Sequence, residues 1–120
     1  MIPRTLQSKC VEFSKQYPVL TITGPRQSGK TTLARACFPD KPWVNLEEPD
    51  KRGMAIEDPR GFLGNYPDGA ILDEIQRTPD LPSYIQSIVD SREAKGVFIL
   101  TGSQQFEVSN SINQSLAGRT

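Results

Sequence analysis

Gly24-Pro25-Arg26-Gln27-Ser28-Gly29-Lys30-Thr31 satisfies the spacing G-x-x-x-x-G-K-[ST] at every fixed position. Each fixed residue answers a need of phosphate binding. Glycines reach backbone conformations that turn successive N–H groups inward around an anion. A lysine at the position of Lys30 reaches the β- and γ-phosphates of a nucleotide, and a hydroxyl at the position of Thr31 ligates Mg²⁺. A helix starting near Gly29 aims the positive end of its dipole at the same anion. The bland alternative is a glycine-rich turn with a solvated lysine. The flanking residues decide against it, because a β-branched apolar run precedes the motif and a helical stretch follows it.

Two further segments carry groups suited to the same chemistry. Ala70-Ile71-Leu72-Asp73-Glu74 reads as a buried strand ending in two acids, about 40 residues downstream of the glycine-rich loop. An aspartate there suits the Walker B role of holding magnesium. A glutamate beside it suits a general base for water. Strands often end in an acid, so this segment gains its meaning from the loop before it. Phe98-Ile99-Leu100-Thr101-Gly102-Ser103 is a second strand with hydroxyls at its end. Parallel sheets place ligands at the carboxyl ends of their strands. Thr101 and Ser103 are therefore expected near the loop, to sense the γ-phosphate or orient water. A polar strand end with an ordinary turn is the alternative there.

These groups need a scaffold, and the pattern of the chain supplies one. Leu6, Cys10, Phe13 and Tyr17 fall at helical spacing, predicting a helix over 5–16 that ends before Pro18. Val19 to Thr23 predicts a buried strand running into Gly24-Pro25. Lys30 to Cys37 predicts a helix stopped before Pro39-Asp40. Trp43 to Leu46 predicts a short strand. Pro49 opens a helix across 50–57, and Asp58-Pro59 supplies an N-cap with proline at the first helical position. Ala70 to Leu72 gives the third strand. Leu81, Ile85, Ile88 and Val89 mark a helix packed on a sheet. Val97 to Thr101 gives the fourth strand. The polar stretch from Gln104 to Thr120 predicts a helix holding Ile112 and Leu116. Strands alternating with helices imply parallel pairing, hence a three-layer α/β/α sandwich around a parallel sheet of about four strands.

Composition removes several function classes. Lys plus Arg and Asp plus Glu each number 14 in the 120 residues, so the broad basic field of a nucleic-acid-binding domain is absent. The chain has no histidine. Histidine metal sites, histidine general bases and Ser-His-Asp triads are thereby excluded within it. Cys10 and Cys37 form no C-x-x-C pair, which predicts reduced thiols. Met1-Ile2-Pro3-Arg4 opens no secretory hydrophobic region. The longest apolar run, Val97 to Leu100, is far short of the roughly 18 residues of a membrane helix. The expectation is a cytoplasmic protein with no membrane partner.

Taken together, four segments resemble one group. They are Gly24 through Leu33, Ile71-Leu72-Asp73-Glu74-Ile75-Gln76, Leu100-Thr101-Gly102-Ser103, and Ser115-Leu116-Ala117-Gly118-Arg119. The group is the AAA-type ATPases of bacteria and archaea whose ATPase domain precedes a C-terminal domain of unknown function. The resemblance runs across nearly the whole chain, from Arg4 through Asp58-Pro59 to Arg119. The glycine-rich loop is common to many families, whereas the combination of segments is far more specific.

The resemblance implies a P-loop ATPase with an additional strand and sheet order 5-1-4-3-2. It also implies ATP and Mg²⁺ as ligands. Gly24, Pro25, Arg26, Gln27, Ser28, Gly29, Lys30, Thr31, Thr32 and Ser103 would surround the nucleotide. Thr31 and Asp73 would hold the metal. Glu74, Lys30, Thr101 and Arg119 would carry the chemistry. Arg119 would reach a γ-phosphate in its own or a neighbouring subunit, against the alternative of a solvated terminal arginine. Family members continue beyond the Gly-Arg pair. Residues 1–120 are therefore expected to be an ATPase domain incomplete at its C-terminus, lacking the fifth strand and the helical lid. The strand beginning at Val19 would then have an unpaired edge, open to self-association.

Three functions compete on this reading. The first is ATP binding and hydrolysis coupled to a partner, DNA or protein, that the sequence does not identify. The second is a non-catalytic nucleotide-binding or interaction remnant of an ATPase. The third is a small-molecule kinase, disfavoured by Glu74 after Asp73. A GTPase is disfavoured too, because no Asn-Lys-x-Asp segment is present.

Overall fold

The computed structural model describes residues 17–23, 29–90 and 97–102, the backbone of 113–117, and Ser8, Glu12 and Lys15. Its elements follow the order β1 (Val19–Thr23), α1 (Lys30–Cys37), β2 (Trp43–Asn45), α2 (Pro49–Glu57), α3 (Pro59–Gly64), β3 (Ala70–Asp73), a 3₁₀ turn (Ile75–Arg77), α4 (Leu81–Asp90), β4 (Phe98–Gly102) and β5 (Asn113–Ala117). The helix predicted over 5–16 falls outside the described residues, save for Ser8 and Glu12, which are helical, and Lys15.

The strands form one five-stranded sheet in the order β2-β3-β4-β1-β5. Every adjacent pair is parallel. Central parallel strands are covered on both faces, which requires near-continuous apolar runs. All residues of β1, β3 and β4 are accordingly buried.

Two expectations fail at β5. The stretch read as a helix around Leu116 contains a strand, and the fifth strand expected to be missing is present. β5 lies parallel to β1, from Val19 opposite Asn113 to Thr23 opposite Ala117. An edge strand is held by main-chain hydrogen bonds to one neighbour. It therefore needs no apolar periodicity of the kind that reveals a central strand. β1 consequently has β4 on one side and β5 on the other, and the open edge expected there does not exist.

The helices begin and end where local chemistry dictates. Gly29, at φ 84°, caps α1 in the left-handed region. Pro49 occupies the first turn of α2, where its missing N–H costs nothing. Asp58 ends α2 by donating its N–H to Met54 O, then caps α3 by accepting from the Gly61 N–H at 3.1 Å. One face of the sheet packs against α2, α3, α4 and the 3₁₀ turn. Its cluster contains Val44, Leu72, Phe98 and Leu100 from the strands, with Phe62, Leu63, Ile75, Leu81 and Ile85 above them. Phe62 also meets Tyr66 edge-on, with ring centroids 5.5 Å apart. The other face packs Leu20, Ile22, Ile71 and Ile99 against Leu33 and Ala34 of α1. Fully burying one such Leu, Ile or Phe contributes about 1.5–3 kcal/mol. Among the described residues no helix is long and apolar enough to cross a membrane. Cys37 forms no disulfide.

Candidate active site

Lys30 and Thr31 occupy the first turn of α1, directly after the left-handed Gly29. Asp73 closes β3 and Glu74 follows it. Thr101 lies in β4, opposite Ile22 of β1. The parallel sheet brings all five residues to the carboxyl ends of three adjacent strands.

The contacts there are specific. The Thr31 hydroxyl reaches both oxygens of the Asp73 carboxylate, at 2.9 Å to Oδ1 and 3.0 Å to Oδ2. The Thr101 hydroxyl donates to Asp73 Oδ1. It also accepts the backbone N–H of Glu74 at 3.3 Å. The Lys30 ammonium stands 3.6 Å from Glu74 Oε2, and both side chains are about 95% buried, with 5% and 6% exposure. Gln76 donates from Nε2 to Glu74 Oε1 at 3.2 Å.

This burial is informative. Two charges removed from water gain little net stability from each other, because desolvation offsets their attraction. A buried Lys–Glu pair at the mouth of a sheet is therefore better explained by a task than by stability. Glu74 supports that reading independently. Its backbone lies at φ 61° and ψ 51°, the one left-handed non-glycine among the described residues. Such a conformation costs on the order of 1–3 kcal/mol and collects at functional positions.

The donor set fits a small hard cation. Mg²⁺ prefers oxygen ligands, with one or two carboxylates, waters and substrate phosphates completing its shell. Thr31 Oγ1 and the Asp73 carboxylate present oxygens of that kind side by side. No group of three or more His, Cys, Asp or Glu side chains assembles a metal cage among the described residues. Such a cage is not needed where a substrate's phosphates complete the shell.

Of the residues predicted from sequence, the structure thus brings together Lys30, Thr31, Asp73, Glu74 and Thr101, with Gly29 at the helix start. Thr32 follows Thr31 in α1 and lines a cleft of about 560 Å³ together with Thr31, Arg35, Lys41 and Trp43. Gly24, Pro25, Arg26, Gln27, Ser28, Ser103 and Arg119 lie outside the described residues. Sequence reasoning missed two neighbours. Gln76 was visible in the Asp-Glu-Ile-Gln segment but carried no role. Trp43, which donates from Nε1 to Asp73 Oδ2 at 3.2 Å, gave no signal beyond being the sole tryptophan.

A parallel sheet ordered 5-1-4-3-2, with a lysine and threonine opening the first helix and two acids ending the third strand, defines the P-loop nucleoside-triphosphatase fold in its additional-strand form. The profile of the AAA domain family matches residues 16–120, and the chain belongs to that family. It is 34% identical over 103 residues to uncharacterized proteins of Mycobacterium bovis and Mycobacterium tuberculosis. That match takes in 85% of this chain and 23% of each relative, so the chain spans about a quarter of their length.

Among solved structures, it is similar to a Signal Transduction ATPase with Numerous Domains (STAND) protein with a tetratricopeptide repeat sensor, from Pyrococcus horikoshii. That match has a TM-score of 0.66 and 18% identity, over 98% of this chain and 23% of that one. A DNA replication initiation factor matches with a TM-score of 0.59 and 15% identity, over 97% and 47% of the two chains. AMPPCP-bound DnaA from Aquifex aeolicus matches with a TM-score of 0.55 and 17% identity, over 93% and 44%. At these identities the likeness concerns the fold.

Proposed function

We propose that this chain is the catalytic core of an ATPase that binds ATP with Mg²⁺ and hydrolyses its γ-phosphate, coupled in the cytoplasm to a macromolecular partner. The observation that carries the reading is the meeting of Lys30, Thr31, Asp73, Glu74 and Thr101 at one end of the sheet. Family membership supports it.

The residues divide the work by their chemistry. Lys30 is a buried cation held by an acid that a phosphate can displace. An arriving γ-phosphate draws the ammonium to its own oxygens and leaves the Glu74 carboxylate free to accept a proton from water. Gln76 keeps that carboxylate oriented through Oε1. Thr31 and Asp73 would hold Mg²⁺, which neutralises charge on the phosphates when bound. Thr101 donates its only hydroxyl proton to Asp73 and accepts the Glu74 amide, so it acts by fixing both acids in place. Gly24 to Ser28, Thr32, Ser103 and Arg119 belong to the same proposal, as groups around the nucleotide.

Phosphate release from Mg²⁺·ATP tests the reading, with Glu74→Gln beside the wild type. Positioned general bases contribute about 10²–10⁴-fold, so the variant should lose that much turnover while still binding nucleotide. An unchanged rate removes Glu74 from the mechanism. Nucleotide binding without turnover in the wild type replaces the ATPase with the non-catalytic nucleotide-binding reading.

A further inference from the structure

The Asp73 carboxylate has a neighbour that the phosphate-binding motifs do not supply. Trp43 opens β2 and pairs in register with Ile71, two residues before Asp73 on β3. Side chains two apart on a strand share a face. The indole therefore lies along the sheet surface toward the acid, where Nε1 donates to Asp73 Oδ2 at 3.2 Å. The Arg35 guanidinium of α1 covers the ring, 4.8 Å from its centroid. The ring stays 40% exposed. A core-packing role alone would bury it further, whereas its one polar atom is aimed at the acid.

A carboxylate offers about four lone-pair sites. At Asp73, Thr101 takes one on Oδ1 and Trp43 takes one on Oδ2, while Thr31 shares its proton between the two oxygens. The carboxylate plane is thus held from both sides. Turning the Thr31 proton to one oxygen opens a lone pair to a cation without rotating the group.

We infer that Trp43 is a positioning residue for Asp73, fixing Oδ2 so that the carboxylate presents one orientation to Mg²⁺. The inference rests on Asp73 being the metal-side acid of the proposed ATPase site. Outer-shell donors to a ligating carboxylate typically change metal affinity about 10–100-fold.

Trp43→Phe keeps a ring under Arg35 and removes the N–H. Thermal stability is followed while wild type and variant are titrated with ADP, with and without Mg²⁺. The response to metal-free ADP should be unchanged, and the Mg²⁺ concentration at half-effect should rise about tenfold or more. Equal Mg²⁺ half-effects overturn the positioning role. The absence of any Mg²⁺-dependent response in the wild type overturns the ATPase site itself, and the role with it. A second measurement leaves Trp43 in place. As the sole tryptophan, it alone sets the indole emission. Asp73→Asn, checked for a cooperative melt, removes the charged acceptor and should shift the emission maximum of the unliganded chain. Identical emission means that the indole does not contact Asp73, and the inference falls.

Discussion

Two lysines stand at opposite ends of the same sheet and are used in opposite ways. Lys30, at the carboxyl ends of the strands, is 5% exposed and faces Glu74 at 3.6 Å. Lys41, just before β2, lies at the amino ends. Its ammonium donates to the backbone carbonyls of Asp68 at 2.9 Å and Val97 at 3.1 Å. Around Lys41 the main chain closes on itself. Val97 N–H binds Pro18 O at 2.8 Å, and Ile71 N–H binds Pro42 O at 2.8 Å. Gly69 turns there at φ 90°, where an added Cβ would meet Val97 O at 1.5 Å. One end is thus sealed by backbone partners that have nowhere to go. The other is held by side chains whose partners a ligand can replace. What separates the two cations is the group opposite each: main-chain carbonyls at Lys41 and a side-chain carboxylate at Lys30.

The comparison breaks most readily at Gly69. Gly69→Ala forces a side chain into a left-handed turn, for about 1–3 kcal/mol of backbone strain. The clash with Val97 adds a cost of about 1–3 kcal/mol. Urea midpoints should fall accordingly, while the folded fraction still binds nucleotide. Lys30→Ala should do the reverse. At about 100 Kd of Mg²⁺·ATP the wild type should gain roughly 2.7 kcal/mol, and the variant should gain almost none of it. Retained nucleotide stabilisation in that variant would erase the distinction between the two ends.

Lys41→Met should cost about 1–3 kcal/mol, because it strips two carbonyls of their donor. Its thermal shift with nucleotide should survive. The smallest expected effect concerns pH. Burial pushes the Lys41 ammonium below its ordinary 10.5, against the opposing pull of the Asp68 charge. The unfolded chain then binds more protons than the folded one between the lowered value and 10.5. Wild-type stability should therefore rise relative to Lys41→Met as pH climbs through that window. Paired denaturation curves would show a constant difference if the group were unperturbed.

Much of this arrangement was legible in the residues. Val19–Thr23, Lys30–Cys37 and the Asp58-Pro59 junction follow from apolar runs, helical spacing and capping chemistry, which act over a few neighbours. β5 was not legible, because its strand is defined by backbone pairing with β1, nearly a full chain length away in sequence. The site divides in the same way. Lys30, Thr31, Asp73 and Glu74 announce themselves through spacing and strand ends. Trp43 and Gln76 do not, since indoles and amides have many ordinary uses and only proximity assigns these two.

By itself, the sequence determined the fold class and which chemistry to propose for it. A phosphate loop demands glycines at fixed separations, and a buried strand that ends in two acids is an uncommon use of polar residues. Only the tertiary structure decided which groups touch. The left-handed turn at Glu74, the Lys30–Glu74 pair and the clasp of Thr31, Thr101 and Trp43 around Asp73 depend on the register of three strands and one helix. Register is a long-range property. It is set by packing the apolar faces of the whole sheet, and no local run of residues contains it.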